Sequence, residues 1–145
     1  MKKIIIILFL TINSFSNAEE FLIDGTGKAE MVGITFNDKS KFRIYKSSGH
    51  WKASSGDYGL SECFGSMRNY NDNKVAFEVY CKLTAQDNEH FVMKFFRGVG
   101  TQDSGIGKAT VTETSKKFEY LLNLECKHAI TYIEQDYFAL QKCKL

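Results

Sequence analysis

Residues 75 to 84 read VAFEVYCKLT, and their polarity alternates at every step. Val75, Phe77, Val79, Cys81 and Leu83 fall on one side of an extended chain, and Ala76, Glu78, Tyr80, Lys82 and Thr84 on the other. A period of two marks a strand with one face in a core and one in water. The next run, HFVMKFFR from His90 to Arg97, repeats the pattern after the polar turn formers Gln86 to Glu89, with Phe91, Met93 and Phe95 on one face. Working outward, strand-like runs cover residues 28 to 36, 41 to 47, 58 to 68, 106 to 113, 127 to 133 and 137 to 144, about eight in all. Residues 116 to 125 (KKFEYLLNLE) differ: Phe118, Leu121, Leu122 and Glu125 sit at helical spacing, so one short helix is expected there. Short strands separated by polar turns indicate an all-β sandwich or barrel, and the up-and-down order favours a single antiparallel β-barrel. With no proline in the chain, turn-making falls to eleven glycines and to Asn/Asp clusters.

The cysteines refine this map. Cys63 and Cys81 are equidistant from Asp72, inside the turn formers Asn71-Asp72-Asn73, and Cys126 and Cys143 are equidistant from the Glu134-Gln135 step. In a hairpin, residues equidistant from the turn face each other within reach of a disulfide. The pairs Cys63–Cys81 and Cys126–Cys143 are therefore predicted as cross-strand staples, out of the three connectivities four cysteines allow. A four-cysteine zinc site would need C-x-x-C or histidine partners at ligand spacing, and neither pattern occurs. No metal and no cofactor is expected.

The N-terminus places these cysteines in an oxidising compartment. Met1-Lys2-Lys3 forms a basic start, residues 4 to 12 (IIIILFLTI) an apolar run, and Ser16-Asn17-Ala18 a small-x-small cleavage site. This is the pattern of a secretory signal peptide over residues 1 to 18, and it is too short for a membrane anchor. The remaining residues, 19 to 145, suffice for one domain with a core of its own. Lys2 and Lys3 leave with the signal, so the 19 basic residues become 17 against 17 acidic ones. A neutral mature chain gives no basis for a nucleic-acid partner or for attraction to an anionic membrane. The expectation is a bacterial protein of the periplasm or secreted from the cell, with no membrane span after cleavage.

Two glycine units could suggest phosphate chemistry: Gly25-Thr26-Gly27-Lys28-Ala29 and Gly105-Ile106-Gly107-Lys108-Ala109. A P-loop needs G-x-x-x-x-G-K-[ST], yet Leu22 and Gln102 stand where its first glycine would be, and alanine follows each lysine. The dinucleotide fingerprint fails at Glu30 and Thr110. Both motifs also require a following helix, and here a strand follows. The glycines are read as releasing the backbone into strands. These G-x-G-K units, in a strand-rich exported chain, resemble the dirigent and allene oxide cyclase barrels. That resemblance implies a small calycin-like barrel. It carries over no catalytic residue, since the cyclase site includes a proline that this chain lacks.

Other catalytic patterns are missing as well. Gly59-Leu60-Ser61-Glu62-Cys63 approaches a nucleophile elbow but ends in cysteine within a strand-like run. His50, His90 and His128 are isolated, and a Cys63 held in a disulfide has no thiolate. One stretch has the composition of a recognition surface: residues 45 to 59, where Tyr45, His50, the single Trp51 and Tyr58 are interleaved with Ser and Gly. These four residues are the expected ligand-binding set, unless Trp51 packs the core or plugs a barrel end. Within the stretch, Ser55-Gly56-Asp57-Tyr58 resembles the S-G-x-x-Y loop of small periplasmic lysozyme inhibitors, one residue short.

The leading expectation is thus a binding barrel for a small apolar or amphipathic ligand or for an envelope protein. The alternatives are a cofactor-free cyclase or isomerase working in a barrel cavity and a lysozyme-inhibitor-like protein. An inward Glu78 or Glu113 would favour the enzyme, because burial raises a carboxyl pKa toward acid-base use.

Overall fold

The computed structural model describes residues 20–72, 74–101 and 106–145. The signal peptide expected at 1 to 18, Asn73 of the turn between Cys63 and Cys81, and Gly105 of the second glycine unit lie outside the described residues. Eight antiparallel strands follow one another around a closed barrel: β1 (Glu20–Thr35), β2 (Lys41–Ala53), β3 (Tyr58–Asn69), β4 (Lys74–Ala85), β5 (His90–Thr101), β6 (Ile106–Thr114), β7 (Glu125–Ile133) and β8 (Asp136–Lys144). β8 pairs back onto β1, from Glu20 opposite Lys144 to Lys28 opposite Asp136. Closure leaves no strand with an unpaired edge.

The alternation in VAFEVYCKLT sets the wall. Val75, Val79, Cys81 and Leu83 are buried inside, while Tyr80 and Lys82 face out. The outer face carries charge at mid-strand, as with Lys46, Glu62, Lys82 and Lys127, and the lumen is largely apolar. Among the described residues no helix is long and apolar enough to cross a membrane.

Both disulfides are present, Cys63–Cys81 across β3 and β4 and Cys126–Cys143 across β7 and β8, with Cα–Cα distances of 4.0 and 4.1 Å. Each joins directly opposed residues, and all four cysteines point inward.

The strands extend further than the sequence indicates. β1 begins at Glu20 rather than residue 28, so Gly25 and Gly27 lie within the strand instead of leading into it. Their service is close approach. Gly27 faces Gly49 across β1 and β2, and a Cβ on Gly27 would come within 2.2 Å of the Ser48 carbonyl oxygen. β2 likewise runs on to Ala53, which makes most of the aromatic stretch wall rather than loop. The predicted helix is a 3-10 helix over Lys116–Leu121. With three residues per turn, Phe118 and Leu121 stack on one side and are buried, whereas Leu122 is exposed and Glu125 already opens β7.

This helix closes one end of the barrel, where the turns after β2 and β4 also lie. Lys117 Nζ reaches Asp57 Oδ1 and Asp87 Oδ2, each at 2.6 Å, and Phe118 enters the core. The opposite end, at the turns after β1 and β3, has no such plug among the described residues.

Candidate functional site: the barrel lumen

A cavity of about 340 Å³ occupies the lumen. It lies at the lower end of the ~300 to 1,000 Å³ typical of small-molecule sites. Its wall is clearest along β2, whose inward positions run from the closed end to the open end as Trp51, Gly49, Ser47, Tyr45 and Arg43.

Trp51 forms the floor. Its ring meets Phe91 at 5.4 Å and Phe118 at 6.4 Å between centroids, and those two rings meet each other at 5.0 Å, all edge-on. Its Nε1–H donates to the Leu60 carbonyl at 3.1 Å and the Thr84 carbonyl at 3.3 Å, so the one polar atom of the indole is satisfied in the wall.

Above the floor, polar side chains are paired with one another. Tyr137 and Ser61 share a hydrogen bond of 3.2 Å between hydroxyls, over the bare Cα of Gly49, where a Cβ would come within 2.5 Å of the Tyr137 oxygen. Tyr132 donates to the Tyr45 hydroxyl at 3.5 Å. Gln141 Nε2 donates to His128 Nδ1 at 3.2 Å, which leaves the imidazole proton on Nε2. The His128 ring tilts against Phe95 at 4.5 Å.

Burial holds the His128 pKa down at about 4, so the ring is neutral at pH 7. Burial pushes the phenols of Tyr132 and Tyr137 up, and both remain protonated donors. Part of the Tyr132 ring is exposed at the open end, while its hydroxyl turns inward to Tyr45.

One lumen hydroxyl is left over. Ser47 is 3% exposed, and its Oγ lies near the Tyr137 hydroxyl without reaching hydrogen-bond geometry with any protein atom. A buried hydroxyl without a partner carries a penalty of ~1 to 3 kcal/mol. At the open end, Asn69 Oδ1 is also enclosed and unpartnered.

The four residues expected from sequence as one contact set are divided by the wall. Tyr45 and Trp51 line the cavity, whereas His50 lies on the outer face of β2 and Tyr58 is 59% exposed at the start of β3. Residues of opposite parity on a strand cannot share a face. The Ser55-Gly56-Asp57 turn sits at the closed end. Gly56 there has φ +89°, and Asp57 accepts from Ser55 and Lys117. These hydrogen bonds, that from Lys117 above all, hold its carboxyl below the ordinary range.

Glu78 faces outward to Lys94 at 3.0 Å, and Glu113 is exposed beside His90. No Asp or Glu stands among the described lining residues. Nor do the described residues hold a cluster of His, Cys, Asp and Glu able to bind a metal.

Ser47, Gln141, Tyr132 and Tyr137 were not singled out by the sequence reading, and Ser61 and His128 were considered there only as catalytic candidates and set aside. The signal existed: Ser47 shares the parity of Tyr45 and Trp51, and His128 and Tyr132 share that of Cys126. Fold and site together define a closed eight-stranded barrel with an internal cavity whose described lining residues include no carboxylate. Neither a protein-family model, nor a curated protein, nor a solved structure matches the chain.

Proposed function

We propose that the protein is an exported carrier or sensor that holds a small amphipathic ligand inside its barrel. The observation that carries this reading is the cavity itself: about 340 Å³, apolar in most of its lining, with the Ser47 hydroxyl unpartnered at mid-depth. The lumen polar groups that pair with each other do not repel an apolar chain, and Ser47 offers one directional contact. Tyr45 and Trp51 belong to this ligand set. His50 and Tyr58, outside the wall, do not.

The alternative of a cyclase or isomerase draws no support from the lumen. An acid-base step there would fall to a neutral His128 whose pKa of about 4 makes it a weak base. Two buried disulfides accord with an oxidising compartment, the periplasm or the exterior, as does the signal sequence.

The test uses the single tryptophan at the cavity floor. Titrating the mature protein with dodecanoate and with dodecan-1-ol, each below its aggregation concentration, is expected to shift Trp51 emission saturably. Ser47→Leu fills the mid-lumen and removes the unpartnered hydroxyl, so it should weaken binding at least about tenfold while leaving the urea midpoint unchanged or raised. Absence of a saturable signal from the wild type would sink the proposal, as would equal binding by Ser47→Leu.

A further inference from the structure

The inner faces of β2 and β5 end alike at the open end of the barrel. β2 runs outward from Trp51 through Ser47 and Tyr45 to Arg43, and β5 runs from Phe91 through Met93 and Phe95 to Arg97. Both arginines line the cavity. They occupy one lateral row, since Arg43 pairs with Met67, Met67 with Phe77, and Phe77 with Arg97. Three strands apart in a wall of eight, the two positions face the lumen from different sides. The Arg43 guanidinium lies over the Met31 thioether, with Nη1 at 3.8 Å from the sulfur, a weak acceptor that leaves most of its donors for something else. Between them and Trp51 the lining is mostly apolar, its polar side chains largely paired with one another, and no carboxylate stands among the described lining residues.

A cavity that is mostly apolar below, with its polar groups largely self-paired, and cationic toward its mouth has the polarity of an anionic amphiphile entering tail first. We propose that the mouth binds the carboxylate head of a single-chain amphiphile, with Arg43 as the principal cation and Arg97 a second positive charge facing the lumen from another side, the chain lying in the lumen toward Trp51. This rests on the preceding reading that the lumen holds a ligand, and adds which chemistry its head group has. Guanidinium suits the role because its planar fork matches the two oxygens of a carboxylate and its charge persists at every physiological pH. The cavity volume, near the lower limit for small-molecule sites, suits one chain of moderate length better than a multi-chain lipid.

Three probes share one chain and differ in head charge: dodecanoate, dodecan-1-ol and dodecylammonium, each followed by Trp51 emission. The mature wild type is expected to bind dodecanoate at least about tenfold more tightly than the alcohol, with the ammonium weakest, since a charge-assisted hydrogen bond in a partly enclosed site is worth about that factor or more. Arg43→Gln should collapse the ratio of acid to alcohol toward one, and Arg97→Gln should reduce it. Binding of the alcohol by the variants reports that they are folded. If the wild type binds acid and alcohol equally, or if Arg43→Gln leaves the ratio as it was, the head-group assignment is wrong although the lumen still holds a ligand. If none of the three probes binds, the underlying reading fails and the head-group assignment with it.

Discussion

His128 shows how much one side chain can reveal about an interior. It is buried against Phe95 and tied to Gln141, and desolvation brings its pKa from the ordinary 6.5 down to about 4. With the folded value below the unfolded one, the unfolded chain takes up a proton that the folded chain refuses. Stability is therefore expected to fall as pH drops from about 6.5 and to level off below about 4, a loss on the order of 3 kcal/mol from this group. His128→Gln should remove that component, so the difference between wild-type and variant unfolding free energies, from urea titrations at pH 7, 5 and 4, should change across the window. A constant difference would show that the ring is hydrated. The sequence held the parity of His128 through its neighbour Cys126, two residues before it, but not its burial. Parity is local, whereas desolvation depends on Phe95 and Gln141 from other strands.

The 3-10 helix Lys116–Leu121 raises the question of what holds a plug in place. Lys117 bridges two carboxylates, and hydrogen bonding to Asp57 and Asp87 raises its pKa, yet all three charges sit at the surface in reach of water. Such pairs contribute little. Phe118 is fully buried between Trp51 and Phe91. Phe118→Ala is accordingly expected to cost ~3 to 5 kcal/mol, and Lys117→Ala less than ~1 kcal/mol. Urea unfolding of both variants decides which matters, and a Lys117→Ala loss equal to that of Phe118→Ala would make the plug electrostatic. The helix was legible from the apolar spacing of Phe118 and Leu121, though its end was not. Leu122 fits an α-helical stripe equally well, and only the tighter 3-10 winding, with Leu122 left outside, separates the two.

The barrel as a whole depends on the pairing of its first and last strands. β1 and β8 lie more than 100 residues apart in sequence along their pairing, so this contact carries the largest loop-closure entropy in the molecule. The disulfides join consecutive strands with sequence separations of 18 and 17, and leave closure to ordinary strand pairing. Truncation after Ile133 removes β8 and with it the partners of both β1 and β7. The truncated chain is expected to lose its near-UV circular dichroism and to aggregate, since two long edges and the lumen become exposed. A monomeric product with a native near-UV spectrum would mean that seven strands close without the eighth.

Within the chain itself lay the strand class, the inward face of the regular strands and both disulfides. A period of two is read from neighbours, and a hairpin's symmetry about its turn pairs Cys63 with Cys81 and Cys126 with Cys143. Which end of the barrel is plugged was not legible. Trp51 is a floor rather than a rim because Phe118, 67 residues later, folds back beneath it. The same holds for Arg43 and Arg97, which reach one row only through the registers of β3 and β4 between them. Local pattern assigns a side chain to a face. Its depth along the barrel axis, and the company it keeps there, follow from registers summed over several strands and from closure, and no short window of sequence contains those.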